Sequence, residues 1–227
     1  MTQVSRRHLL AGAAGAAAVY GAATAHAATT SDLNICAAPK FDESFDLVVI
    51  GSGGAGLSSA VMAKQQGVKR ILVLEKMAFL GGNTAISGGG FNSYDPPRQQ
   101  AQGIKDSPEL HFENTYDGGD RRANPELVHA MTENSYAAIQ WLESIGMKFK
   151  PNVYQIYGGL YPRCHAPYGS LGSDYIKVLK AQCDKLGIEI RTNSRVVRVL
   201  RESPLEGKVT GAFHASETVD RFGKTTD

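Results

Sequence analysis

Apolar and polar positions along the chain sort into a small set of segments. Leu47 to Ile50 is a short continuous apolar run rich in β-branched residues, which predicts a buried strand. Leu57 to Gln66 holds small and apolar residues with no breaker and predicts a helix that Gly67 can cap. A second apolar run, Ile71 to Leu74, predicts another buried strand and ends on Glu75. Further on, Ser107-Pro108 and Asn124-Pro125 each set a capping side chain before a proline at the first helical position. The second pair opens a helix in which Leu127, Met131, Ser135, Ala138, Ile139 and Leu142 recur at helical spacing up to the stop at Gly146. Ser173 to Leu186 predicts a helix ended by Gly187. Ile188–Arg191, Ser194–Leu200 and Gly207–Ser216 predict strands, and Tyr94 to Asp106, with Pro96-Pro97 and paired glutamines, predicts an exposed loop. The class is α/β.

The joint between the first strand and the first helix carries the chemistry. It reads Gly51-Ser52-Gly53-Gly54-Ala55-Gly56, a G-x-G-x-x-G loop with a strand before it and a helix after it. Gly51 allows the tight turn out of the strand. Gly53 lets the backbone approach a pyrophosphate, and Gly56 lets the helix pack close to the sheet. The helix start turns unpaired N–H groups and a positive dipole end toward phosphate. Glu75, about 20 residues past the loop, sits where a carboxylate accepts hydrogen bonds from a ribose diol. Together these predict a Rossmann-like dinucleotide site.

The continuation narrows the dinucleotide. After Glu75-Lys76 comes a second glycine-rich segment, Gly81-Gly82-Asn83-Thr84 and then Ser87-Gly88-Gly89-Gly90-Phe91-Asn92. With so few side chains, backbone amides can lie against a flat ring system. This segment resembles the flavoprotein subunits of the fumarate reductase/succinate dehydrogenase superfamily, in particular its soluble periplasmic flavocytochrome c fumarate reductases and urocanate reductases. The resemblance implies FAD in a glutathione-reductase-type domain. The contacts it implies are Gly51, Gly53, Gly54, Ala55, Gly56, Glu75, Lys76, Gly82, Asn83, Thr84, Ser87, Gly88, Gly89 and Val197. Within that set, Ala55 falls at the pyrophosphate, Glu75 at the adenosine ribose, and Asn83, Thr84, Ser87, Gly88 and Gly89 on the flavin side. The backbone of Val197 falls beside the adenine, while its side chain is expected in the core. Membrane-bound members attach FAD through a histidine in this segment. No histidine stands between Glu75 and Tyr94, so non-covalent flavin is expected.

The first residues add a location. Ser5-Arg6-Arg7-His8-Leu9-Leu10, an Ala/Gly-rich stretch and Ala25-His26-Ala27 have the three parts of an export leader, and the paired arginines mark the twin-arginine route. The expected division is a leader over 1–27, a linker over 28–44 and the N-terminal part of an FAD domain over 45–227. The apolar middle of the leader is short for a membrane span. Stable insertion after cleavage is not expected, and the expected location is the periplasm, reached through the twin-arginine translocase. The formal charge of +2 becomes 0 once Arg6 and Arg7 are lost with the leader. No basic patch with interleaved aromatics points to nucleic acid. Three cysteines, Cys36, Cys164 and Cys183, leave at least one without a partner in the chain. No C-x-x-C-H is present, so no c-type haem is attached. The resemblance therefore implies a separate cytochrome c or quinol-linked electron donor.

Arg163-Cys164-His165 precedes a glycine-rich turn, Gly169-Ser170-Leu171-Gly172. The resembled family has a similar R-x-H, so Arg163 and His165 are substrate-side candidates; the alternative is that they only hold the turn. Neighbours in a turn make a poor Cys164–His165 nucleophile pair. The scattered His and Cys give no zinc spacing. Trp141 reads as a core anchor. The resemblance implies reduction of a C=C bond conjugated to a carboxylate, as in fumarate or urocanate, by hydride transfer from flavin. It places the proton donor, the substrate-gripping residues and a capping domain beyond Asp227. Two alternatives remain open: a dehydrogenase or oxidase of the ketosteroid dehydrogenase kind, or a truncated nucleotide-binding fragment without turnover.

Overall fold

The two apolar runs flanking the glycine loop become neighbouring parallel strands. In the computed structural model, which describes residues 41–227 apart from 170, 204–205, 217, 220–224 and 227, β1 (Leu47–Ile50) leads into α1 (Gly54–Gln65) and then β2 (Ile71–Leu74). The twin-arginine leader, most of the linker and Cys36 lie outside the described residues. Parallel pairing needs a crossover, and α1 supplies it. The register runs from Leu47 opposite Ile71 to Ile50 opposite Leu74. On its other side β2 pairs in parallel with β5 (Glu189–Arg191), which gives the order β1-β2-β5.

All four residues of β2 are buried, as its sequence predicts. β1 differs. Leu47 and Val49 turn toward the core, but Val48 and Ile50 do not, and Ile50 is 55% exposed. The expectation of a fully buried strand fails here because β1 has β2 on one side only and one of its faces has no layer over it among the described residues.

The helix boundaries show how capping rules act. Ser107 Oγ accepts from Leu110 N at 3.1 Å and starts α4 (Pro108–Gly118). Asn124 Oδ1 accepts from Glu126 N at 2.9 Å and starts α5 (Pro125–Ser144). Each cap contributes about 1 kcal/mol. The stretch expected as an exposed loop repeats this device. Asp95 Oδ1 accepts from Arg98 N at 3.1 Å, and α3 (Pro96–Ala101) follows. An acid before a proline is a helix start, and the glutamines do not break it. The side chain of Gln99 is buried and bonded to Asp95 N, Asp106 and the Pro162 carbonyl. Two further boundaries differ from the sequence reading. α1 begins inside the glycine loop, at Gly54, and part of the second glycine segment forms a short helix, α2 (Gly82–Ile86).

The core lies between the sheet and the helices α1, α5 and α6 (Ser173–Lys185). Leu57, Ala60 and Val61 of α1 meet Ile71 and Val73 of β2, Ile139 and Leu142 of α5, and Tyr175, Ile176, Leu179 and Cys183 of α6. Each large apolar side chain buried there contributes about 1.5–3 kcal/mol. The buried stripe of α5 is Val128, Thr132, Ser135, Ile139 and Leu142, so Leu127, at 70% exposure, and Met131 face outward. The stripe starts one residue later than expected, which keeps i, i+4, i+7 spacing through Ile139. Trp141 packs against the core while its indole N–H donates to Gln65 at 3.0 Å. Cys164 and Cys183 are buried free thiols, and burial pushes Cys183 up to about 11.

After β5 the chain forms an antiparallel ribbon of β6 (Ser194–Arg201) and β7 (Val209–Ser216). Val197, expected in the core, is 61% exposed on this ribbon. Of β6 only Ser194 is buried, and Val197 stands at the register shift between Val196 and Arg198 with no layer over it among the described residues.

Candidate cofactor site

The glycine loop is built so that no side chain stands between sheet and helix. Gly51 has φ +96°, a conformation that favours glycine. A Cβ on Gly56 would fall inside contact distance of the Gly51 carbonyl oxygen and 3.3 Å from Val49 Cγ1. Gly53, extended and without a capping side chain, precedes α1. The start of this twelve-residue helix therefore has no side chain of its own across it.

Glu75 at the end of β2 turns back onto this loop. One carboxylate oxygen accepts from Ser52 N at 2.9 Å and Ser52 Oγ at 2.6 Å, and the other accepts from Met77 N at 2.9 Å. Burial works to raise the carboxyl pKa, but the hydrogen bonds from Ser52 and Met77 outweigh it and hold the group below its ordinary value. Glu75 is thus an anion with both oxygens already engaged by protein donors, and a ribose diol would share its remaining lone pairs. Ser52 was not singled out from the sequence. Its hydroxyl also accepts from Gly81 N at 3.1 Å and so ties the two glycine segments together. The signal available was a hydroxyl residue between the first two glycines of the fingerprint.

The second glycine segment closes against α1 and α6. Gly54 N donates to Thr84 Oγ1 at 3.0 Å. Gly172 N donates to the Ser87 carbonyl at 2.9 Å, and Tyr175 Oη donates to the Gly89 carbonyl at 2.8 Å. A Cβ on Gly89 would lie 2.7 Å from the Leu171 carbonyl carbon. Between these parts lies a cleft of about 530 Å³ lined by Gly54, Ala55, Ser58, Asn83, Thr84, Ser87, Gly89, Gly90, Phe91, Leu142, Tyr175 and Leu179. Six of the sequence candidates meet on its wall: Gly54, Ala55, Asn83, Thr84, Ser87 and Gly89. Gly51, Gly53, Gly56, Glu75, Lys76, Gly82, Gly88 and Val197 lie off it. Phe91, Leu142, Tyr175 and Leu179 give it an apolar floor that the sequence reading assigned to the core or left unplaced.

Arg163 and His165 do not reach this cleft. His165 ends β4 (Cys164–His165), which pairs antiparallel with β3 (Phe91–Asn92) so that Phe91 stands opposite His165, and Arg163 just precedes β4. His165 is fully buried. Its Nε2 lies 2.9 Å from Asp95 Oδ2, and its Nδ1 lies 3.1 Å from the carbonyls of Phe91 and Arg163. Asp95 is held in turn by Arg98 at 2.6 Å, and Arg98 reaches Glu143. Burial works to raise the Asp95 carboxyl, and bonds from Arg98 and His165 outweigh it and hold it low. Arg163 forks onto Asp106, Nη2 to Oδ1 at 2.6 Å and Nε to Oδ2 at 3.0 Å, and Nη1 donates to Asn114 at 3.2 Å. Here both candidates act as ties that hold the strand behind the cleft. Among the described residues no cluster of three or more His, Cys, Asp or Glu could hold a metal ion.

The geometry defines a dinucleotide-binding α/β domain with a flat, glycine-walled cleft. Residues 46–225 match the family of the FAD binding domain. The fumarate reductase (cytochrome) of Shewanella frigidimarina is 36% identical over 171 residues, which span 74% of this chain and 29% of that protein. The acrylate reductase flavoprotein subunit of Shewanella woodyi is 31% identical over 192 residues, 85% of this chain and 37% of that protein. Among solved structures, the open conformation of a flavocytochrome c3 fumarate reductase superposes with a TM-score of 0.68 at 32% identity, covering 76% of this chain and 32% of that one. The chain belongs to the FAD-binding flavoprotein family of the fumarate reductases, and its cofactor is FAD. It spans about a third of the length of the relatives it matches.

The residues present fit that group. At Gly56 an added Cβ would collide with the loop's own backbone, and at Gly89 with the turn at Leu171. The apolar floor suits a flat ring system, and α1 offers its N-terminus to phosphate. When bound, FAD supplies hydride chemistry. This chain binds and orients it.

Proposed function

We propose that this chain is the N-terminal FAD-binding part of an exported reductase that saturates a C=C bond conjugated to a carboxylate. The observation that carries this reading is the cleft joining both glycine segments, in a chain similar to reductases of fumarate and acrylate. Gly54 and Ala55 at the start of α1 would hold the pyrophosphate, Glu75 the ribose, and Asn83, Thr84, Ser87 and Gly89 the flavin edge. The flavin is held without a covalent bond, because the second segment offers no histidine. The paired arginines of the leader support export to the periplasm. A separate cytochrome c or quinol-linked carrier would deliver electrons. The substrate-gripping residues and the proton donor would be supplied by other parts of such a reductase.

One preparation tests the reading. The protein that contains this chain is purified from a periplasmic fraction and assayed anaerobically with reduced viologen. Oxidation of the dye by fumarate, acrylate or urocanate is expected, and acid precipitation should leave all yellow colour in the supernatant. No turnover with any of the three acids, or colour retained on the pellet, counts against the substrate class or the non-covalent flavin respectively.

A further inference from the structure

A second cavity lies behind β3, on the side away from the cofactor cleft. Phe91 lines the cleft, and Asn92, the next residue, lines this cavity. Its volume is about 260 Å³, and its walls include His111, Asn114, Tyr161 and Arg163. It shares no lining residue with the cofactor cleft. We propose that this cavity is a second ligand site and that it takes a small, uncharged carboxamide.

His111 supplies the first reason. It is only 3% exposed, it lines the cavity, and its Nδ1 has no hydrogen-bond partner. A buried polar atom left without a partner is costly and uncommon, so it marks a place where a partner is missing. Burial first, and the Arg163 guanidinium second, push the imidazole down to about 4, with Asp106 pulling the other way. At neutral pH the ring is uncharged and is both donor and acceptor.

The charge balance supplies the second reason. Arg163 is matched by the buried carboxylate of Asp106. With His111 neutral, the wall carries no net charge. An anion or cation entering here would be an unpaired charge out of water, which costs several kcal/mol in general; a neutral molecule avoids that cost. Three N–H groups of Arg163 are directed at Asp106 and Asn114, while a guanidinium has five. A ligand carbonyl can accept from those that remain, and the ligand N–H can donate to His111. A carboxamide presents both groups in one plane. The Tyr161 ring, which already stacks under Arg163 at 4.8 Å, and Leu160 give the molecule an apolar side. The volume falls below the roughly 300 Å³ at which pockets for drug-sized ligands begin, so the ligand is small.

The test uses the FAD-loaded protein labelled with ¹⁵N-histidine and titrated with acetamide. Acetate and guanidinium serve as charged probes of similar size. The His111 ring signals are assigned by their loss in His111→Phe. Acetamide should move them saturably, with a Kd on the order of 1 mM or weaker. Saturation transfer from protein to acetamide should be lost in His111→Phe. Acetate moving the same signals at equal or lower concentration would show an anion site and overturn the proposal. Signals that no probe moves would show a cavity filled by water alone, with the same consequence. Should His111→Phe fail to fold, the comparison of acetamide with acetate on the unaltered protein decides by itself, with His111 assigned by through-bond connectivity.

Discussion

The cofactor cleft and the ionic network around β3 and β4 are built from opposite materials. On the cleft side the wall is made by leaving side chains out, at Gly54, Gly89 and Gly90, so that backbone can reach a ligand. In the neighbouring ionic network the ties are side chains: Arg163 on Asp106, His165 on Asp95, Arg98 bridging to Glu143. A wall of glycines is cheap to desolvate but costs conformational entropy in the chain. A buried ionic network is costly to desolvate and holds only while every partner is present. The cleft should therefore fail by steric intrusion, and the ionic network, a platform for β3 and β4, by the loss of one partner.

The largest effect is expected in the ionic network. Arg163→Met leaves Asp106 buried without its cation and should lower stability by about 3–5 kcal/mol. Adding Asp106→Leu should restore much of that loss in chemical denaturation. If the single variant costs under 1 kcal/mol, the contrast between the two sides is wrong. Gly56→Ala comes next. Its Cβ has backbone to displace rather than a flexible side chain, so a loss of about 1–3 kcal/mol is expected. FAD should no longer co-purify. A variant that keeps its flavin would show that α1 can shift away.

Glu75→Gln should act on the cofactor as well as on the loop that its carboxylate holds. Charge-assisted hydrogen bonds contribute about 1.5–3 kcal/mol, so FAD affinity should fall roughly ten- to a hundredfold by fluorescence titration. Unchanged affinity would remove Glu75 from the ribose. The smallest effect concerns pH. The His111 imidazole is held down near 4 when folded, against an ordinary value of 6.5. Below pH 6.5 the unfolded chain therefore takes up a proton that the folded chain refuses, and stability falls until about pH 4. His111→Phe should flatten that part of the profile relative to the unaltered protein, read as melting temperature against pH. Parallel profiles would show that His111 already finds a partner.

The same contrast explains what could be read from residues alone. The glycine loop, its acid at Glu75 and the capped starts at Ser107 and Asn124 were legible because each is a local device whose chemistry lies within a few residues. The platform was not. Asp95 and His165 stand 70 positions apart, Arg163 and Asp106 stand 57 apart, and no periodicity joins either pair. Asp95-Pro96 was a readable helix start, but two prolines and two glutamines suggested a loop. Val197 and Ile50 were misplaced for another reason. An apolar run announces a strand, yet it does not say how many layers will cover it.

That uncovered strand has a practical side. Among the described residues β1 pairs with β2 alone and leaves the backbone groups of its other edge without a strand partner, with Val48 and Ile50 exposed beside it. Such an edge is a template for another strand, and it does not discriminate between a proper neighbour and a copy of itself. An edge of this kind favours association that grows with concentration. Val48 and Ile50, rather than the residues around the cofactor cleft, are the side chains such a contact would cover.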